Sequence, residues 1–226
     1  MKLTNEMLRL YAVTDRGWLR GRTLPEQVED ALRGGATMVQ LREKELNEEA
    51  FLREAIALAE LCHRYGVPLL INDHVDIALR SGADGVHVGQ DDMGAAQARK
   101  LLGPEMIVGV TAKTVEQALR AQEDGADYLG SGAVFGSSTK RDAKPMSRET
   151  LCAITHAVSI PVVAIGGIHS GNIQELAGTG IAGVAVVSGI FAAENIEEEC
   201  RLLRRLADKT AAEGLLLCPW AFEIFS

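Results

Sequence analysis

Residues 68–89 read PLLINDHVDIALRSGADGVHVG, and this stretch holds a complete strand–helix–strand unit. The run 68–72 is short and apolar, 75–80 carries apolar residues at helical spacing, and 85–89 is a second β-rich run. Gly82-Ala83 stands between helix and second strand, where the chain must stop and turn tightly. Glycine accepts the left-handed conformation required at such a helix end. Strands nearly continuous in Val, Ile and Leu belong to a parallel sheet covered on both faces.

The same unit recurs in both directions. Strand-like runs lie at 8–14, 38–42, 68–72, 85–89, 107–111, 128–134, 161–165 and 183–187, eight in all. Helical patterns fall between them at 24–33, 48–65, 75–80, 95–102, 115–123, 148–158 and 172–177, with a longer one at 196–211. Gly35-Ala36 and Gly125-Ala126 repeat the Gly82-Ala83 punctuation. Eight β/α units in 226 residues predict an α/β fold, a closed TIM (β/α)8 barrel. The alternative, a doubly wound open sheet, usually has fewer strands and wants a glycine-rich loop after the first; here Thr14-Asp15-Arg16 follows it.

Composition sets the outer limits. With 47% hydrophobic and 24% charged residues and no Pro/Ser-rich linker, the chain reads as one catalytic domain over residues 1–213. An apolar tail, LLLCPWAFEIFS after Gly214, follows it. A formal charge of -8 excludes the broad basic face that nucleic acid requires, so any anion site is local. Apolar runs stop well short of the roughly 18 residues of a membrane span, so no membrane partner is expected. Cys62, Cys152, Cys200 and Cys218 have no short paired spacing, and MKLTNEMLRLYAV lacks the apolar core of a signal peptide. Reduced thiols in a cytoplasmic protein are the expectation.

In such a barrel the C-terminal ends of the strands converge on one face and form a single site. The sixth run leads into FGSSTKRDAK, residues 135–144: small hydroxyls and glycine next to Lys140 and Arg141. That composition suits phosphate or pyrophosphate oxygens, though an ordinary solvated loop has the same residues. After the second strand, alternation sends Gln40 and Arg42 to one side with Lys44 just beyond. An amide and two cations hold a diphosphate, or else form a solvated approach to the next helix. Asn72-Asp73 ends the third strand and Gln90-Asp91-Asp92 the fourth. Asp73 and Asp92 either cap their helices or share a Mg²⁺, which takes one or two carboxylates plus phosphate oxygens and water. Thr111 ends the fifth strand; Gly166-Gly167-Ile168 and Val187-Ser188-Gly189 end the last two, where such barrels often bind phosphate on backbone N–H groups. His87, within a strand, reads as a packed or hydrogen-bonded barrel residue rather than a general base.

Several of these strings together resemble one family. YAVTD, QLREKE, INDHVDIAL, GADGVHVGQDD, GVTAKT, GADYLGSGAVF with STK, PVVAIGGI and GVAVVSGIF occur in order over about residues 10–191 and resemble thiamine-phosphate synthase. The resemblance implies a transferase that joins hydroxymethylpyrimidine diphosphate to thiazole phosphate, releasing pyrophosphate and forming thiamine phosphate by a dissociative, Mg²⁺-assisted course. It implies that Gln40, Arg42, Lys44 and Asn72 contact the pyrimidine diphosphate, that Thr111 sits beside the pyrimidine ring, and that Lys140 holds the pyrophosphate. It further implies that Arg42, Lys44 and Lys140 carry the catalysis, that Asp73 and Asp92 bind Mg²⁺, and that Ser137, Ser138, Thr139, Gly167, Val187 and Ser188 take the thiazole phosphate. The implied partners are phosphorylated small molecules and a second copy in a homodimer. Two departures stand out: the family usually has serine at Thr111 and a Thr/Pro-rich loop at Gly136-Ser137-Ser138.

Two other readings share the fold. Related barrels with similar REKE, IND and AIGG strings act as thiazole tautomerases, which need neither metal nor pyrophosphate cradle; Asp92 and Thr139-Lys140 argue against that. A sensor that binds phosphate ligands without reaction is the third.

Overall fold

The helices begin where the sequence supplies caps. Helix α1 (Leu24–Arg33) opens on a capping box: the Thr23 hydroxyl accepts from the Glu26 N–H while the Glu26 carboxylate accepts from the Thr23 N–H. Asn47, Thr114, Ser147 and Asn195 cap α2 (Glu48–Arg64), α5 (Val115–Glu123), α6 (Arg148–Ala157) and α8 (Ile196–Ala212) in the same manner, each side chain accepting from a first-turn N–H. Helices α3 (Val75–Ser81) and α4 (Ala95–Leu102) lack a side-chain cap bond, and a short α7 (Ser188–Phe191) follows the last strand. The computed structural model describes residues 2–90, 93–136 and 145–213.

Strands β1 (Leu10–Val13), β2 (Met38–Leu41), β3 (Leu69–Asn72), β4 (Gly85–Val88), β5 (Ile107–Thr111), β6 (Tyr128–Gly132), β7 (Val162–Ile165) and β8 (Gly183–Val186) pair in parallel and in sequence order. The pairing of β1 with β8, Tyr11 opposite Ala185, closes the barrel. Alternation along each strand sorts side chains into two apolar layers. Tyr11, Val13, Met38, Leu70, Ile107, Tyr128, Val163 and Ala185 fill the interior. Ala12, Val39, Leu41, Ile71, Val86, Val108, Leu129 and Ala164 face outward onto helix residues such as Val28, Leu58, Ile77, Ile154 and Leu203. Both faces of each strand are therefore buried, which is why the strands read as continuous apolar runs.

Gly35, Gly82 and Gly125 all have positive φ, at 97°, 76° and 89°, as the Gly-Ala punctuation requires. Element ends shift from the periodicity by one or two residues, and at two places the type of element changes as well. The first run starts as a 3-10 turn (Asn5–Leu8) held by Thr4, and Leu8 seals the interior from below before β1 begins. The expected helix at 172–177 is a 3-10 turn (Ile173–Leu176), because Ala177 turns extended at ψ 139° and Gly178 follows at φ 77°. Cys62, Cys152 and Cys200 are buried, and burial pushes the Cys62 and Cys200 thiols up to about 12, so both stay protonated at neutral pH. Cys218 and the tail 214–226 lie outside the described residues. Among the described residues no helix is long and apolar enough to cross a membrane.

Candidate active site

The C-terminal ends of the strands enclose one cavity. It is lined by Tyr11, Gln40, Arg42, Asn72, His87, Thr111, Lys113, Gly166, Gly167, Val187 and Ser188, among others. Its described lining contains two cations, Arg42 and Lys113, and no carboxylate. For a chain of net charge -8 this is a local reversal of sign, and it favours anions over cations in the cavity.

A hydrogen-bonded series forms the floor. The Gln40 amide donates to the Tyr11 hydroxyl at 2.6 Å, and the Tyr128 hydroxyl donates to the same oxygen at 3.0 Å. His87 meets Tyr128 through Nδ1 at 2.9 Å and Thr111 through Nε2 at 3.0 Å. Burial raises the pKa of both tyrosines, so both stay neutral phenols. With its one proton directed at Tyr11, Tyr128 accepts from His87 Nδ1–H, and the opposite ring nitrogen is bonded to the Thr111 hydroxyl. His87 is thus a hydrogen-bonded barrel residue that also lines the cavity. Room for this floor comes from missing side chains. A Cβ on Gly109 would stand 2.2 Å from the Tyr128 ring, and one on Gly130 would stand 3.0 Å from the His87 ring.

Of the residues expected for the pyrimidine diphosphate, Gln40, Arg42, Asn72 and Thr111 converge on the cavity. Lys44 is exposed and absent from the described lining; its loop position is fixed by its backbone N–H, which donates to Glu43 at 2.7 Å. Asp73 follows β3 with a φ of 64°. Most L-residues lose about 1–2 kcal/mol there, while Asp and Asn tolerate it better. The Asp73 N–H donates to the His87 carbonyl at 2.9 Å, and its carboxylate accepts from the Asn72 amide. Among the described residues, no group of three His, Cys, Asp or Glu side chains converges as a metal cage. Asp92, Ser137, Ser138, Thr139 and Lys140 lie outside the described residues.

Gly167, Val187 and Ser188 meet at the β7 and β8 ends, with α7 starting at Ser188. Gly166 and Gly167 have φ of 103° and 66°, and a Cβ on Gly166 would stand 2.5 Å from that of Ala133. The tight approach lets the Phe135 N–H donate to the Gly166 carbonyl at 3.1 Å, so the β6 loop starts against the β7 end. Sequence reasoning missed Tyr11 and Lys113. Strand alternation from Gln40 offers no hint of Tyr11, but Lys113, two residues past Thr111 in GVTAKT, follows the same strand-end logic.

A family model described as thiamine monophosphate synthase matches residues 10–190. The thiamine-phosphate synthase of Clostridium tetani is 49% identical over 194 residues, covering 86% of this chain and 93% of that relative. That of Ruminiclostridium cellulolyticum is 52% identical over 194 residues, covering 86% and 92%. The solved thiamine phosphate pyrophosphorylase from Pyrococcus furiosus matches with a TM-score of 0.84 at 37% identity, over 91% of this chain and 98% of that one.

Proposed function

Because the chain belongs to the thiamine monophosphate synthase family and is a transferase of the thiamine-phosphate synthase class, we propose that it joins hydroxymethylpyrimidine diphosphate to thiazole phosphate, giving thiamine phosphate and pyrophosphate. The observation that carries this reading is the cavity with Arg42 and Lys113 in its lining and no described carboxylate. Two phosphorylated substrates need such a mouth, and an acidic surface elsewhere keeps other polyanions away.

The pyrimidine ring enters toward the floor. The Thr111 hydroxyl, held at 3.0 Å from His87 Nε2, stands beside the ring and has a lone pair to offer its exocyclic amine. The diphosphate then lies toward Arg42, with Lys44 and Lys140 as further cations. As the carbon–oxygen bond breaks, its electron pair leaves with pyrophosphate, and these cations stabilise the growing charge. The electron-rich aminopyrimidine supports the positive methylene carbon. The thiazole nitrogen donates its pair to that carbon, and no side-chain nucleophile or net proton transfer is needed. Gly167, Val187 and Ser188, with Ser137, Ser138 and Thr139, hold the thiazole phosphate on backbone N–H and hydroxyl groups, fixing the nitrogen in line.

Asp73, with Asp92, fits a hard cation, because Mg²⁺ takes one or two carboxylates and leaves its other positions to phosphate oxygens and water. When bound, Mg²⁺ neutralises charge on the diphosphate. Asp73→Asn and Asp92→Asn are each expected to raise the Mg²⁺ concentration required for half-maximal activity, with the circular dichroism of the parent retained. Unchanged Mg²⁺ titrations in both would reject the assignment.

Pyrophosphate release tests the whole reading. With both substrates and Mg²⁺ present, one pyrophosphate should appear per thiamine phosphate, and none with either substrate alone. Isomerisation of thiazole phosphate, or binding without release, would replace this function with a tautomerase or a sensor.

A further inference from the structure

We propose that Glu43 and Arg16, neither of which lines the cavity, are positioning residues that hold the loop after β2 so that Arg42 faces the diphosphate. The proposal rests on the substrate reading given above. Its basis is an unusual division of labour on one buried carboxylate. Glu43 is 7% exposed, although it sits in a loop among charged neighbours. Its Oε1 accepts three successive backbone N–H groups, from Lys44 at 2.7 Å, Glu45 at 2.6 Å and Leu46 at 3.2 Å. Its Oε2 pairs with Arg16 Nε.

Arg16 comes from the neighbouring strand connection and reaches two elements at once. It opens the 3-10 turn (Arg16–Trp18) that Asp15 caps, and its Nη2 pairs with Glu54 on α2. The loop is thus pinned to the β1 connection and to α2 through one guanidinium, whose fork is rigid and always charged. The front end of the loop is held as well, since the Arg42 N–H donates to the fully buried Thr14 hydroxyl at 3.0 Å. Burial alone would raise the Glu43 pKa, but Arg16 and the N–H groups of Glu45 and Leu46 hold it below the ordinary carboxylate range, so the carboxylate is charged wherever the enzyme works at neutral pH.

The loop has no strand partner for residues 43–46, so these side-chain bonds set its path. Releasing them leaves Lys44 and the backbone around Arg42 without a defined orientation. Ground-state binding of the diphosphate suffers first, because Arg42 contacts it before the bond breaks.

The variants Glu43→Gln and Arg16→Met separate this role from a purely structural one. Glutamine keeps an oxygen for the three N–H groups and loses the ion pair with Arg16; methionine keeps the stem of Arg16 and loses its charge. Binding of inorganic pyrophosphate with Mg²⁺, followed by calorimetry, is expected to weaken about tenfold in each, the scale of one lost charge-assisted bond. The KM for the pyrimidine diphosphate should rise in parallel while that for thiazole phosphate stays at the parental value. Arg16→Lys, which keeps charge and bulk, should fold as the parent does and recover part of the pyrophosphate affinity. Parental pyrophosphate affinity in Glu43→Gln and Arg16→Lys, or an equal rise in both KM values, would overturn the clamp while leaving the substrate reading intact. A parent enzyme that binds no pyrophosphate and forms no thiamine phosphate would overturn the substrate reading, and the clamp with it.

Discussion

Replacing Lys140 with alanine is expected to lower the rate of the chemical step by at least about a hundredfold, the scale of one preorganised electrostatic contact removed. In the proposed reaction pyrophosphate departs as a polyanion, and its charge grows as the bond to the methylene carbon lengthens. A protein of net charge -8 must supply local cations against that growth, and Arg42 and Lys113 are the ones in the described lining. Lys140 itself lies outside the described residues. Val134, shortly before it in the chain, runs against the β7 end, where its N–H donates to the Ile165 carbonyl at 3.0 Å, beside the cavity. Single-turnover measurements with both substrates saturating isolate the chemical step from binding. Thiamine phosphate formed at the parental rate by Lys140→Ala would defeat the role.

Gly109→Ala is expected to destabilise the fold by about 1–3 kcal/mol, the usual result of forcing a methyl group into a filled core. The added Cβ would lie 2.2–2.3 Å from three atoms of Tyr128. That ring has no room to yield, because it is fully buried and its hydroxyl is bonded to both Tyr11 and His87. Any shift would propagate to Thr111 through His87, so turnover should fall together with stability. Urea unfolding should show an earlier midpoint with an unchanged slope. A parental midpoint would mean that the interior accommodates the methyl group and that the floor is softer than its hydrogen bonds indicate.

Much of the site was legible because strand ends in a closed parallel barrel all point the same way. Gln40, Arg42, Asn72, Thr111, Gly167, Val187 and Ser188 were placed by that rule, and they line one cavity. Lys44 obeyed the same spacing and nevertheless falls outside the described lining, since loop residues past a strand end follow their own hydrogen bonds rather than the pleat. Tyr11 went unread because a tyrosine in an apolar strand has no local mark of a polar task. Its partners Gln40 and Tyr128 are 29 and 117 residues away.

The amino-acid order by itself determined the class of fold and its repeat: apolar runs buried on both faces, capped amphipathic helices and glycines whose positive φ ends α1, α3 and α5 are short-range properties of the chain. Only closure of the barrel decided what those runs do together. Pairing β1 with β8 brings Gln40, Tyr11, Tyr128, His87 and Thr111 into one hydrogen-bonded floor, with Gly109 and Gly130 leaving space for two of the rings. The same closure sets Arg16 of the first connection against Glu43 of the second. Such contacts join residues distant in sequence, and their energies depend on burial and direction, which a linear pattern does not carry.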